Sequence, residues 1–420
     1  MNIDLSLGKK MLSTALDSRT EPRHRWYWVK EGFSPSLVRT AIETEQCSSS
    51  DLVVDPFCGS GTVPLEAARC QVRSAGAEVN PFLAFAAHTK TLTPRVGSIK
   101  QWHSIAQDAI FCEALSPLIG FSTFGNSSRK RGLFNLELLN GHHSAVQSLS
   151  SAPEMIASVL RLCMLRAMLD CANFVRDGKA LRYNETRIQR RFGCDELANA
   201  FSSYVSDAIY DIEHDQPLVH IPTIDLTDSR KLLPVSFKGF KVCVMSPPYL
   251  NSFDYTDVYR PELFLGGFIE SASELRELRY HTVRSHVQAL WSPPVEVDFG
   301  TEFSECLDAI KSNRDQLWNQ RIPTMIQAYF EDLRMVLRNL RLMAGVNASV
   351  WMVVSTSAYA GVEVPVDRIL SNVGIQVGWR LREVHVLRHL RSSGQQLSKL
   401  SGRAQNAMMP LRESLIILDS

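Results

Sequence analysis

The residue types in Ser246-Pro247-Pro248-Tyr249 are the ones in this chain that could most directly do chemistry. Two consecutive prolines behind the apolar run Phe240 to Met245 have fixed φ angles and no N–H groups, so the strand must end there with carbonyls left free to accept. Those carbonyls and the Ser246 hydroxyl can hold an exocyclic amino group by its hydrogens and aim the nitrogen lone pair at an electrophile. Tyr249 adds a stacking face. The arrangement suits methylation of an amino group without a covalent enzyme intermediate. Its plain alternative is a bulky turn that closes a strand.

A second constellation lies upstream. Asp51 to Asp55 is a short apolar run that enters Pro56-Phe57-Cys58-Gly59-Ser60-Gly61-Thr62, and Leu65 to Arg69 follows with good helix formers. This reads as strand, Gly-rich turn and helix. Two glycines let the backbone approach a ligand at a helix N-terminus, where free N–H groups favour polar or anionic partners. The spacing GxxxxGK[ST] is absent, so this is not a phosphate loop. Glu78 stands nineteen residues beyond Gly59, at the end of the next strand, where an acid can accept both hydroxyls of a ribose. Asp228 and Ser229 follow the run Val219 to Leu226, and an acid there could bind the exocyclic amine of an adenine. A solvated strand end and an ordinary turn remain the alternatives for Glu78 and Asp228.

These residues need a sheet to position them. Asn80-Pro81 cap a helix from Phe82 to Lys90, and strand and helix repeat at a spacing that argues for a parallel sheet covered by helices. Residues 96–216 break the alternation with three- and four-spaced apolar residues and read as a mainly helical insertion. Residues 270–322, with Pro293-Pro294, lack clear periodicity and read as a second, irregular insertion. Met325 to Leu340 is amphipathic, Ser349 to Val354 is a strand, and Gln376 to Leu387 pairs with Ser414 to Leu418 as a terminal hairpin. The expected fold is therefore α/β, a Rossmann-like sheet with a terminal antiparallel hairpin and two insertions. The chain divides into a cofactor-binding part (1–95), the helical insertion (96–216), the catalytic-loop part (217–269), the irregular insertion (270–322) and the C-terminal sheet (323–420).

Composition narrows the function classes. The 420 residues carry 45 Lys+Arg against 44 Asp+Glu, so the formal charge of +1 exerts no global pull on a polyanion, and any such site must come from local clustering. Bulk disorder, collagen and coiled coil are excluded. Nine cysteines without a CxxC pair fit reduced thiols, with no disulfide framework and no metal site. No apolar span of membrane length and no secretory signal is visible, so a cytoplasmic protein is expected.

Asp55-Pro-Phe-Cys-Gly-Ser-Gly-Thr62 together with Ser246-Pro-Pro-Tyr249 resembles the S-adenosylmethionine-dependent DNA amino-methyltransferases, the class that modifies cytosine N4 or adenine N6. The likeness covers most of the chain in fragments. It implies S-adenosylmethionine as cofactor and duplex DNA as substrate, with the target base extruded from the helix. Whether a cognate restriction endonuclease accompanies the protein stays open. By this likeness Asp55, Phe57, Gly59, Gly61 and Thr62 match the cofactor loop, Glu78 with Asn80 the ribose side, and Asp228 with Ser229 the adenine side. Ser246, Pro247, Pro248 and Tyr249 match the catalytic loop. Trp28 to Pro35, with Phe33 and Ser34, looks like the segment that covers the methionine end of the cofactor; a plain helix cap is the alternative.

Either insertion could be the target-recognition region. Residues 270–322 are closer to the catalytic loop in sequence and offer Arg279, His281, Arg284 and His286 for phosphates or base edges. Arg380, Arg382, His385, Arg388, His389, Arg391 and Arg403 form a second basic strip. Lys179, Arg182, Arg187, Arg190 and Arg191 form a third cluster. Within the resembling family Ser-Pro-Pro goes more with cytosine N4, and Asp- or Asn-Pro-Pro more with adenine N6, which favours cytosine. Carbon-5 methylation needs a cysteine after proline, and no Pro-Cys pair exists. The rival readings are an RNA amino-methyltransferase, a catalytically silent binding subunit, and a nicotinamide dehydrogenase, the last disfavoured by a GxG turn without its third glycine.

Overall fold

The computed structural model describes residues 14–112, 114–121, 124, 132–177, 180–390 and 411–420. Seven strands build the sheet: β1 (Leu52–Asp55), β2 (Arg73–Glu78), β3 (Thr223–Leu226), β4 (Phe240–Met245), β5 (Ala344–Ser355), β6 (Arg380–Leu390) and β7 (Leu411–Asp419). Their order is β6-β7-β5-β4-β1-β2-β3. The five strands from β3 to β5 run parallel, and β7 lies antiparallel between β5 and β6. This is a Rossmann-like α/β sheet, with the terminal hairpin that the sequence predicts.

Strands covered on both faces read as continuous apolar runs. Thus Val54, Cys243, Val350 and Met352 pack on one side with residues of the Ile322–Met343 and Val366–Gln376 helices. Val53, Val242, Val244, Trp351 and Val353 pack on the other with residues of the Pro35–Thr44 and Thr62–Arg69 helices. The helical insertion supplies Val96–Ala109, Leu136–Ser148, Glu154–Asp170 and Cys194–His214. Its core includes Trp26, Tyr27, Phe82 and Leu83, so it shares one interior with the cofactor-binding part. Among the described residues no helix is long and apolar enough to cross a membrane.

Four expectations need correcting. The helical insertion also holds a small antiparallel hairpin, Phe174–Asp177 with Ala180–Tyr183. Residues 270–322 are not wholly irregular: Ala272–Tyr280 and Thr301–Ser312 are helices, each short, on either side of the proline-containing stretch that hides their periodicity. Strand β3 begins at Thr223, not Val219, because Pro222 has no N–H to give a ladder. The terminal hairpin begins at Arg380, since Gln376 closes a helix and Gly378 (φ +93°) turns the chain.

Gly61 is the N-cap of the Thr62–Arg69 helix at φ +85°, and a Cβ there would lie 2.8 Å from both Cα and Cβ of Ala87. Gly61→Ala is therefore expected to cost about 1–3 kcal/mol and lower the thermal midpoint by several degrees. Gly97→Ala, where a Cβ meets nothing within 4 Å, should hold or raise it in the same melts.

Candidate active site

Strands β1 and β4 are neighbours, and from them the sheet order runs one way to β2 and β3 and the other way to β5. Open α/β sheets bind ligands beyond the carboxyl ends of strands at such a switch point. Here the two ends carry the glycine turn and the Ser-Pro-Pro-Tyr loop, and both line one crevice of ≈ 1310 Å³, its open mouth included.

Asp55 closes β1 and is buried, with Oδ1 accepting the Phe57 N–H at 2.8 Å. Burial pushes its carboxyl up to about 8. Glu78 closes β2: Oε2 accepts the Gly59 N–H at 2.7 Å, and Oε1 accepts those of Val79 at 3.0 Å and Asn80 at 2.8 Å. Burial raises the Glu78 carboxyl, and the three N–H bonds pull it back only in part. Asn80 caps its helix through Oδ1, which leaves its buried Nδ2 on the crevice side of the fold without a protein partner. A cofactor with hydroxyl or carboxylate oxygens fits that unfilled donor.

Asp228 is gripped by Arg230, whose Nε and Nη2 reach its two oxygens at 2.9 and 2.8 Å. Ser229 donates its hydroxyl to the Pro56 carbonyl. In the second loop Tyr249 hydrogen-bonds Ser246, and burial carries its phenol well above the ordinary range. The Leu250 carbonyl accepts the hydroxyls of Ser357 and, at 3.0 Å, Tyr359, which pins the loop to the strand that follows β5.

The structure brings Phe33, Asp55, Phe57, Gly59, Thr62, Glu78, Asn80, Asp228, Ser229 and Ser246 to Tyr249 onto one crevice. Gly61 stands behind it as a helix cap. Ser34 does not line it; its hydroxyl accepts the Ser36 N–H at 3.1 Å and bonds Asp17 at 2.6 Å, so it is the cap of the Pro35–Thr44 helix. The basic residues fare differently. Arg279 pairs with Asp254 at 2.6 Å, and Arg284 with Asp332 at 2.7 Å and Glu331 at 3.3 Å. His286 is buried against Trp291, although its pocket wall faces the crevice. Arg388 pairs with Glu413, and Arg382 with Glu45 and Asp419. Arg391 and Arg403 lie outside the described residues. The guanidiniums of Arg279, Arg284 and Arg388, expected at DNA, thus each pair with a carboxylate within the fold.

Lys90 is a site residue that sequence reasoning missed. It is buried beneath the glycine turn, with Nζ donating to the Ser60 carbonyl at 2.9 Å and the Ser60 hydroxyl at 3.1 Å, and burial pushes its ammonium down to about 7. The only hint was a lysine closing an apolar helix. Glu21, His24 and Glu66 also converge, but Arg39 and Arg69 pair with the same carboxylates, so the group is an ion-pair network.

Residues 25–111 match the family model described as RMKL-like, methyltransferase domain. With the sheet, the crevice and the relatives that follow, this match supports an S-adenosylmethionine-dependent methyltransferase. Over nearly its whole length it is similar to the Type II methyltransferase M.AvaI of Nostoc sp., 25% identical over 447 residues that cover 96% of this chain and 88% of the relative. It is likewise similar to the Type II methyltransferase M.BsoBI of Geobacillus stearothermophilus, 24% identical across 98% of this chain and 88% of that one. A solved structure, the rRNA methyltransferase aviRa from Streptomyces viridochromogenes, aligns over 100% of this chain and 94% of its own at 10% identity and a TM-score of 0.30.

Two outcomes follow for Lys90. Replacing it by Met removes both bonds to Ser60 and should raise the dissociation constant for S-adenosylmethionine about 30-fold in calorimetry, at about 1 kcal/mol for each lost bond. Its folded value of about 7 lies below the ordinary 10.5, so the unfolded chain binds the extra proton between those limits and stability gains with rising pH across that window. Lys90→Met should abolish that gain in denaturant titrations at pH 7.5 and 9, and an unchanged difference would contradict the assignment.

Proposed function

We propose that the protein transfers the methyl group of S-adenosylmethionine to the exocyclic amino group of a base flipped out of duplex DNA, with cytosine N4 as the first choice. The observation that carries the reading is the shared crevice, in which the glycine turn with Glu78 and the Ser246 to Tyr249 rim face the same space. The Type II relatives, matched over at least 96% of this chain, support DNA as the substrate and a cognate restriction endonuclease as companion. Ser246 at the head of the catalytic loop supports cytosine; adenine N6 is the second reading.

The cofactor supplies an electrophilic methyl on a sulfonium. The protein supplies position. Gly59, with no side chain, lets the backbone come close, and Glu78 and Asp228 stand where ribose hydroxyls and an adenine amine would be read. The Ser246 hydroxyl and the loop carbonyls take the hydrogens of the target amine, and Tyr249 stacks on its ring. An amine held in this way would keep its lone pair free for the methyl, and the Ser246 hydroxyl or a loop carbonyl would hold the proton it gives up on its way to water.

Nucleoside mass spectrometry on DNA and RNA from expressing cells tests this. N4-methylcytosine in DNA is the expected mark, N6-methyladenine would correct the base, and a mark confined to RNA would overturn the DNA reading. Tyr249→Ala should lower kcat/KM for DNA about 5- to 150-fold, from a stacking contribution of about 1–3 kcal/mol, while leaving cofactor affinity nearly unchanged. Gly59→Val, at φ +53° on the crevice wall, should instead abolish cofactor binding.

A further inference from the structure

The hairpin Phe174–Asp177/Ala180–Tyr183 belongs to the helical insertion, yet it packs on Tyr255–Val258, the helical turn that follows the catalytic loop. Its inner strand is bolted to the crevice wall. Arg176 pairs with the fully buried Glu262, donates to the Tyr27 hydroxyl at 3.3 Å and lies 5.1 Å from the centre of the Tyr259 ring. Tyr27 also donates to Glu262, and both Tyr27 and Tyr259 line the crevice. The inner strand is thus fixed at the rim where a base must enter.

The other strand, Ala180–Tyr183, is the one that touches Tyr255–Val258, and it carries exposed side chains. Arg182 and Tyr183 are exposed, the Arg182 side chain to 70%. Among the described residues Arg182 has one ionic partner, Asp177, at 2.8 Å, itself 54% exposed, and such a surface pair is weak and readily exchanged for another anion. Arg260 stands near enough to lower the Tyr183 phenol against the effect of its burial. From Phe174 to Arg191 the sequence carries six Lys and Arg against two Asp and Glu, in a chain whose formal charge is only +1. Arg279, Arg284, Arg382 and Arg388, by contrast, hold internal carboxylates.

We propose that Arg182, with Tyr183 and Arg260 beside it, forms a surface at the crevice rim that contacts the phosphate backbone of duplex DNA and orients the duplex over the catalytic loop. This rests on the DNA reading above. Phosphate contacts set register and orientation without carrying sequence, and each one lost flattens the salt dependence of binding by about one unit of slope.

The test compares wild type, Arg182→Glu, Arg182→Lys and a charge reversal elsewhere, Lys311→Glu, on the Thr301–Ser312 helix that packs against Ile322–Met343. Methyl transfer to duplex DNA is followed against salt. Arg182→Glu should raise KM for DNA about tenfold and flatten the logarithmic salt slope by about 1, with cofactor affinity and thermal midpoint unchanged. Arg182→Lys should recover most of both effects, and Lys311→Glu should match wild type. A wild-type KM and slope in Arg182→Glu, or an equal shift in Lys311→Glu, overturns the surface while leaving the DNA reading standing. Wild-type transfer to RNA alone overturns the DNA reading and the surface with it.

Discussion

The carboxylate of Glu78 joins the ends of β1 and β2, and the site is built around that junction. One oxygen holds the Gly59 N–H and the other those of Val79 and Asn80, so a single side chain sets both the glycine turn and the start of the next helix. The turn needs this support, because Gly59 and Gly61 both adopt positive φ, at 53° and 85°. Gly61 then lies so close to Ala87 that no larger residue fits, and the approach places Lys90 directly beneath Ser60. The backbone facing the ligand is thus held from the side by a carboxylate and from below by an ammonium.

A second set of contacts closes the crevice from above. Asp211, on the Cys194–His214 helix, accepts the Arg23 N–H at 2.8 Å and the Trp26 indole N–H at 2.9 Å, and pairs with Arg25 at 2.7 Å. These bonds tie the segment that carries Tyr27, Trp28 and Phe33 to the helical insertion. Buried pairs of this kind add little net stability, since desolvation offsets most of the attraction. Their effect is positional: the insertion holds the wall of a site to which it contributes no residue between Val96 and Gln216.

What could be read from the sequence was what local backbone chemistry dictates. Pro247 and Pro248 must end β4, and the glycines of 59 and 61 must turn after β1, so both loops and their strands were legible without a partner in sight. Pro222 should have been read the same way, and it shortens β3. Charge was not legible, because a run of arginines does not reveal its carboxylates: Arg284 finds Asp332, 48 residues on, and Arg279 finds Asp254, which caps a different helical turn, Tyr255–Val258. Lys90 hid for a related reason. Its partner is a backbone carbonyl in a turn thirty residues earlier, and such a pairing leaves no pattern in either segment.

The same accounting explains how the crevice can serve methyl transfer. A neutral amine attacking a sulfonium moves positive charge from sulfur to nitrogen without creating any, so the protein has little charge to stabilise and much geometry to enforce. The walls suit that demand. Burial raises the phenols of Tyr27, Tyr249, Tyr255 and Tyr259, keeping all four neutral, and their ring faces attract a cation. It also raises the carboxyls of Asp55 and Glu78 and lowers the ammonium of Lys90, so burial pushes these three groups towards neutrality. Near the site, the guanidiniums of Arg230, Arg279 and Arg284 are paired within the fold, and that of Arg182 is exposed. Neutral aromatic walls inside and guanidinium outside follow from one rule: burial is tolerated only by groups that can give up their charge or share it.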